Sequence, residues 1–396
     1  MGNGIVYKKF GECCLGKGTY GIGAPAVEFK EYLPKYIRIT DIDELGRYST
    51  QNVASVDDKD SENYILREGD IVFARTGNTT GKSYVYRKSD GKLVYAGFLI
   101  KFTPDPKILD VCFLKHYLET EQYIKWVSIT SQRSGQPGIN ADEYYNMIIP
   151  IFLIIEQEKI AEILSTWDLA IEKQAQLIEK KKEFKKGLMQ RLLSGEVRFK
   201  EFKDEWNNKT LENYILPVSR ECDKPNEGYW RLGLRSHGKG TFHEFVEDPS
   251  TVSMDKLYKV KCNDLIVNIT FAWEHAIAVA NTMDEDKLVS HRFPTYEFKG
   301  NAYPIFFKYY ILQPNFKHML VNISPGGAGR NRVMNKKDFL KLMVKVPSYN
   351  EQVRIAEVLI SADEEIELLQ KELEALKLQK KGLMQRLLTG EVRVKI

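Results

Sequence analysis

Lys186–Lys200 reads KGLMQRLLSGEVRFK, and Lys381–Lys395 reads KGLMQRLLTGEVRVK. Gly187 pairs with Gly382, an offset of 382 − 187 = 195 residues in a chain of 396. The repeat extends upstream at the same offset: Glu156, Gln157, Ile160, Ala161 and Glu162 match Glu351, Gln352, Ile355, Ala356 and Glu357. Solenoid repeats run to 20–50 residues. This one is long enough to be a whole domain with an attached element, written twice.

The attached element reads as a long helix. Apolar residues recur in steps of three and four from Ile160 through Leu192, and again from Ile355 through Leu387. That spacing predicts an apolar seam for helix pairing, with Lys and Glu crowding the other faces. Ser348 with Glu351 fits a capping box. Gly195 and Gly390 stand where the helices should stop, with Arg191 and Arg386 in the last turns. The span 156–193 would form a rod of about 57 Å at 1.5 Å per residue. Gly187 and Gly382 fall inside these helices, where glycine costs roughly 1 kcal/mol relative to alanine. Their recurrence suggests either a close backbone approach or a frayed last turn.

Composition narrows the class. No apolar run reaches 18 residues and nothing resembles a signal peptide, so a cytoplasmic protein with no membrane partner is expected. The five cysteines show no CxxC spacing, which predicts neither a zinc site nor a disulfide framework. The net charge of +4 permits nucleic-acid binding without requiring it.

Residues 1–150 form a first globular unit of α+β type. Strand-like runs occur at Tyr36–Ile42, Asp70–Ala74, Ser83–Tyr86, Leu93–Phe102 and Met147–Ile151, and Ile108–Val127 reads as helix. Gly16–Gly21 matches G-x-G-x-x-G, but Pro25 follows closely and no amphipathic helix opens, so it is not read as a dinucleotide site. Gly77–Ser83 is one residue short of a P-loop and runs into a strand-like segment. Its polar side chains suit another task. Arg and Asn match guanine and adenine edges, while Lys and Thr match phosphates. Candidate DNA-binding residues are therefore Arg75, Thr76, Asn78, Thr79 and Lys82. A second loop, Ser131–Asn140, adds Gln132, Arg133, Gln136 and Asn140.

The second globular unit echoes the first weakly: Tyr36-Ile-Arg-Ile against Tyr229-Trp-Arg-Leu, and Gly69-Asp-Ile-Val against Asn263-Asp-Leu-Ile. Its loops differ from those of the first unit. They contribute His237, Lys239, Asn268, Thr270, Arg330, Asn331 and Arg332 as further candidates. The six histidines are scattered, and no grouping of carboxylates and metal ligands suggests a catalytic or metal site. Two readers on one frame, with different loops and matching rods, suggest recognition of something bipartite.

These residues resemble the specificity subunit of type I restriction–modification systems over essentially the whole chain. The markers are the helix openings EQEKIAEIL at Glu156 and EQVRIAEVL at Glu351, and the endings KKGLMQRLL-[ST]-GEVR. LREGDIVFARTGNTTGK (Leu66–Lys82) is similar to the family's strand and turn. KGTYGIGAPA (Lys17–Ala26) with YIRITDI (Tyr36–Ile42) is similar to the opening of a target recognition domain. DLIVNITFAWEHAIAV (Asp264–Val279) and LVSHRF (Leu288–Phe293) resemble another version of that domain.

The resemblance implies two target recognition domains in tandem (1–150 and 199–347), each followed by a long helix (151–198 and 348–396). The helices would pair as an antiparallel coiled coil with pseudo-two-fold symmetry. Each domain would read half of a split, asymmetric sequence in double-stranded DNA. The chain would hold no cofactor and do no catalysis. Two methyltransferase subunits would bring S-adenosylmethionine, and motor-nuclease subunits would bring ATP and Mg. The competing reading is a stand-alone DNA-cleaving enzyme, testable as Mg²⁺-dependent cutting by the purified chain.

Overall fold

The computed structural model describes residues 5–43, 46–326 and 332–395. They divide into two compact units, Met1–Ala175 with Lys371–Ile396, and Gln176–Gln370. Within the described residues the helices are α1 (Val111–Tyr117), α2 (Glu121–Thr130), α3 (Ala141–Tyr145), α4 (Ile154–Ser194), α5 (Pro304–Tyr310), α6 (Pro314–Asn322), α7 (Lys336–Leu340) and α8 (Tyr349–Leu388).

In the first unit, Val6–Lys9 pairs antiparallel with Ile148–Ile151 and clasps the two ends of the globular part. One four-stranded sheet runs in the order Thr19–Tyr20, Leu99–Phe102, Ile71–Ala74, Ser83–Val85. A second runs Ala26–Glu28, Ala54–Val56, Lys35–Ile37, Leu93–Tyr95. The second unit repeats the clasp with Asn207–Thr210 and Met343–Val346. Its four-stranded sheet runs Ile215–Val218, Thr295–Phe298, Leu265–Val267, Ile277–Val279. Its other sheet has five strands and ends on the hairpin Tyr229–Leu234 with Thr241–Val246.

Local chemistry divides some expected elements. The helix expected over Ile108–Val127 is two, α1 and α2. The Thr120 hydroxyl donates to the Tyr117 carbonyl and accepts from the Tyr123 N–H, ending one helix and capping the next. Leu93–Phe102 is two strands around a turn in which the Leu99 N–H donates to the Ala96 carbonyl. Tyr36–Ile42 is strand only to Ile37, after which Asp41 turns back to cap Arg38.

The long helices are continuous and antiparallel within each unit. In the first unit Asp168 meets Lys380 and Gln174 meets Glu372. In the second, Lys181 meets Glu365 and Lys185 meets Asp363. Each helix stops at its expected glycine, Gly195 at φ +75° and Gly390 at φ +74°. The Gly195 N–H donates to the Leu192 carbonyl and Gly390 to Leu387, the inner bond of a Schellman-type cap, and Val197 and Val392 reach further back to Arg191 and Arg386.

The start of one helix and the end of the other enter the same core. Ile160, Ala161 and Leu164 of α4 pack with Met384, Leu387 and Leu388 of α8 against Phe10, Phe73 and Phe113. In the second unit Leu192 and Leu193 of α4 join Ile355, Ala356 and Leu359 of α8 against Tyr214, Phe306 and Phe339.

The repeated motifs join each helix to its domain. Buried Gln157 accepts from the Asp110 N–H and donates to the Ile108 and Phe152 carbonyls. Gln352 makes the matching bonds to Tyr303, Asn301 and Pro347. Buried Glu156 takes both its hydrogen bonds from Arg393, in the GEVR ending of the other repeat. Glu351 takes its pair from Arg198, each at 2.8 Å. Glu351, read from the sequence as a capping-box partner of Ser348, is thus also one half of a bidentate ion pair.

Gly187 and Gly382 lie in neither a frayed last turn nor a close approach to the rest of this chain. Both helices run on past these residues, and an added Cβ at either would meet nothing within 4 Å.

Candidate nucleic-acid interface

Two loops predicted from opposite ends of the first unit meet in space. One follows the strand Ile71–Ala74, and the other follows α2. Thr76 bridges Gly138, the Gly77 N–H donates to the Pro137 carbonyl, and the Ile139 N–H donates to the Arg75 carbonyl. The Arg75 guanidinium lies over the Tyr20 ring, 4.8 Å from its centroid. Stacking of this kind leaves the edge of the guanidinium fork available for planar acceptors.

Several candidates use their polar groups within the fold. The Arg133 Nη2 donates to both carboxylate oxygens of Glu143, and its Nη1 donates to the Thr130 and Gln132 carbonyls. Asn140 caps α3 in a reciprocal box with Glu143. The Thr79 hydroxyl donates to the Thr76 carbonyl. Asn78, Gln132 and Gln136 are exposed at the loop tips, and Thr76 and Lys82 are half-buried.

The second unit repeats the arrangement. The loop after Leu265–Val267 meets the segment after α6 where the Met334 N–H donates to the Ile269 carbonyl. Arg332 lies over the Trp273 ring at 5.4 Å. Asn268 is buried and accepts from the Thr270 N–H and hydroxyl, so it shapes its own turn. The hairpin turn bearing exposed His237 and Lys239 joins the same site. The His237 N–H donates to the Glu274 carbonyl, the Gly238 N–H to the His275 carbonyl, and the Ser236 hydroxyl to the Glu274 carboxylate. Arg330 and Asn331 lie outside the described residues.

Strand register aligns the two sites residue by residue. Ile71 opposes Phe102 and Leu265 opposes Tyr296, so both strands share one offset: 265 − 71 = 194 and 296 − 102 = 194. Arg75 then corresponds to Ile269, and Thr76 to Thr270. Sequence reasoning missed Tyr20 and Arg235, each stacked in its unit: Arg75 over Tyr20, and Arg235 over Phe242 at 5.3 Å. Nothing local in the sequence marks either stack, because the partners lie on different strands.

One partly buried cluster lies away from these loops. Ligand atoms of His116, Glu119 and Asp168 fall within 4.8 Å of one another, a spacing compatible with a metal ion. Lys380 already supplies a cation, 2.7 Å from Glu119 and 2.6 Å from Asp168. Burial, together with nearby Lys115, pushes the His116 imidazole down to about 3, so it stays neutral. At the matching place in the second unit, the Tyr309 hydroxyl donates to Asp363, which also pairs with Lys185. The cluster is thus a variant of a helix-to-helix ion pair, tied to a domain side chain, that is present in both units.

The chain builds two units on one frame, each with its own loop site, and comparison identifies its family. The model of the type I restriction modification DNA specificity domain matches residues 18–180 and again 204–378. The chain belongs to that family. It is 25% identical to the specificity subunit of the type I restriction enzyme MjaVIII from Methanocaldococcus jannaschii, over 94% of this chain and 89% of that one. It is also 25% identical to the putative MjaX specificity subunit of the same organism, over 90% and 84%. Its fold is that of the HsdS subunit from Thermoanaerobacter tengcongensis, with a TM-score of 0.55 at 14% identity over 98% of this chain and 97% of that one. The type I S subunit from M. genitalium matches with a TM-score of 0.54 at 16% identity, over 97% and 96%. No helix among the described residues is long and apolar enough to cross a membrane.

Proposed function

We propose that this chain reads a bipartite, asymmetric DNA sequence, one half-site per unit, for a type I restriction–modification complex. The carrying observation is that one chain builds the same two-loop site twice, in the same strand register, with different side chains. A shared frame keeps the approach to the duplex alike, and the side chains at the loop tips set the bases. Methyltransferase subunits would dock on the paired helices and supply S-adenosylmethionine, and motor-nuclease subunits would supply ATP and Mg. The chain itself would contribute recognition and no chemical step.

Competition binding with half-site variants tests the division of labour. Arg75→Ala should relax one half-site only, and Arg332→Ala the other. A lost base contact costs about 1–3 kcal/mol at one position. Equal weakening of both half-sites and of nonspecific DNA by Arg75→Ala would make it a phosphate contact.

A further inference from the structure

The strand register that aligns the two sites exposes a pair of positions with opposite chemistry. The Arg75 N–H donates to the Phe98 carbonyl at 3.0 Å, and the Ile269 N–H donates to the Arg292 carbonyl at 3.0 Å. The offset of 194 holds here too, since 292 − 98 = 194. Residues directly opposite in an antiparallel pair present their side chains on one face. The first unit thus sets a cation at 75 across from an apolar group at 98. The second sets an apolar group at 269 across from a cation at 292. Cation and apolar group have exchanged strands on an otherwise common frame.

Phe98 is 59% exposed, although its neighbours Ala96, Leu99 and Ile100 are all buried. Its turn is tightly held: a Cβ at Gly97 would lie 3.2 Å from the Ile22 carbonyl. The exposed ring thus stands beside the Arg75 loop, on a backbone bonded to Arg75 and closely approached by that of Ile22. Arg292 is exposed at the same place in the second unit. In the major groove, an apolar side chain suits the C5-methyl of thymine, and an arginine suits guanine O6 and N7.

Resting on the DNA-reading function above, we propose that Phe98 and Arg292 are specificity-determining residues. Phe98 meets a thymine methyl in one half-site, and Arg292 meets a guanine in the other.

The test selects binding sites from a random duplex library, using the full chain with whatever subunits co-purify. Wild type should recover a thymine in one half and a guanine in the other. Replacing that thymine by deoxyuridine should weaken binding about fourfold, the effect of burying one methyl. Phe98→Ala should lose the difference between thymine and uracil, and Phe98→Leu should keep part of it. Phe98→Arg should move the preference at that position towards guanine. Arg292→Ala should lower the guanine preference roughly tenfold or more and leave the first half-site alone. If wild type yields a bipartite site and Phe98→Ala still tells thymine from uracil, or weakens all DNA alike, this assignment is overturned while the function stands. If wild type recovers no preferred sequence, the proposed function fails and the assignment fails with it.

Discussion

Gln157 and Gln352 make the same three hydrogen bonds, one in each unit, and Glu156 and Glu351 each hold an arginine from the GEVR ending of the other repeat. At the loop tips little survives except the backbone: Arg75 faces Phe98 in one unit, and Ile269 faces Arg292 in the other. The joints are buried, where a carboxylate or amide must find its partner or bear the cost of desolvation. The tips are less buried, with Phe98 and Arg292 exposed and Arg75 and Ile269 half-buried, and exchanges at exposed positions are mostly neutral for folding. Burial thus separates what must repeat from what can change.

The joints also differ in how far they are buried, and the largest expected effect follows from that. Arg198→Met leaves Glu351, 1% exposed, without its ion pair. The second unit should lose about 3 kcal/mol in denaturant unfolding. Adding Glu351→Met should restore most of that loss, because an apolar pair avoids the stranded charge. Arg393→Met strands Glu156, which is also 1% exposed, so it should be destabilising too. It should cost somewhat less, because the Arg393 guanidinium is 38% exposed against 24% for Arg198 and its pair is better screened by water. Equal losses in the two units would mean that burial does not set the strength of the joint.

Next in size is a pH effect confined to the first unit. His116 sits near Lys115, Lys380, Glu119, Asp168 and Ser165, and its Nδ1 has no hydrogen-bond partner. Its folded value of about 3 lies below the ordinary 6.5. Between those values the unfolded chain binds the proton and the folded chain does not, so stability falls as pH drops below about 6.5. At pH 5 the loss should be about 2 kcal/mol. His116→Tyr copies Tyr309 of the second unit and should flatten this dependence. An unchanged pH profile would show that some other group causes it.

The smallest effect concerns a position the units share. Gly187→Ala and Gly382→Ala fill open space on continuous helices, so each should stabilise its helix by roughly 1 kcal/mol. If these glycines recur because a partner subunit needs the bare backbone there, the same variants should weaken co-purification of methyltransferase subunits. Stabilisation with undiminished co-purification would leave the glycines with neither role.

By itself, the sequence determined what depends on neighbours along the chain. The three-and-four spacing specifies the long helices, and Gly195 and Gly390 end them because glycine takes the left-handed turn without a Cβ clash. The repeat specifies that there are two units, and the polar run after Ile71–Ala74 marks a loop. The tertiary structure decided what depends on partners far apart in the chain. Thr120 divides a helix that periodicity alone would continue, since a side-chain oxygen there competes for backbone N–H groups. Glu156 reads only as the opening of a repeated helix until Arg393 is folded against it. The loops at 75–80 and 131–140 become one surface only when strand and helix ends converge. Phe98 reads as one more core aromatic in an apolar run. Its exposure follows from where the chain turns before the strand Leu99–Phe102, whose register is set jointly by the hydrophobic faces of both paired strands.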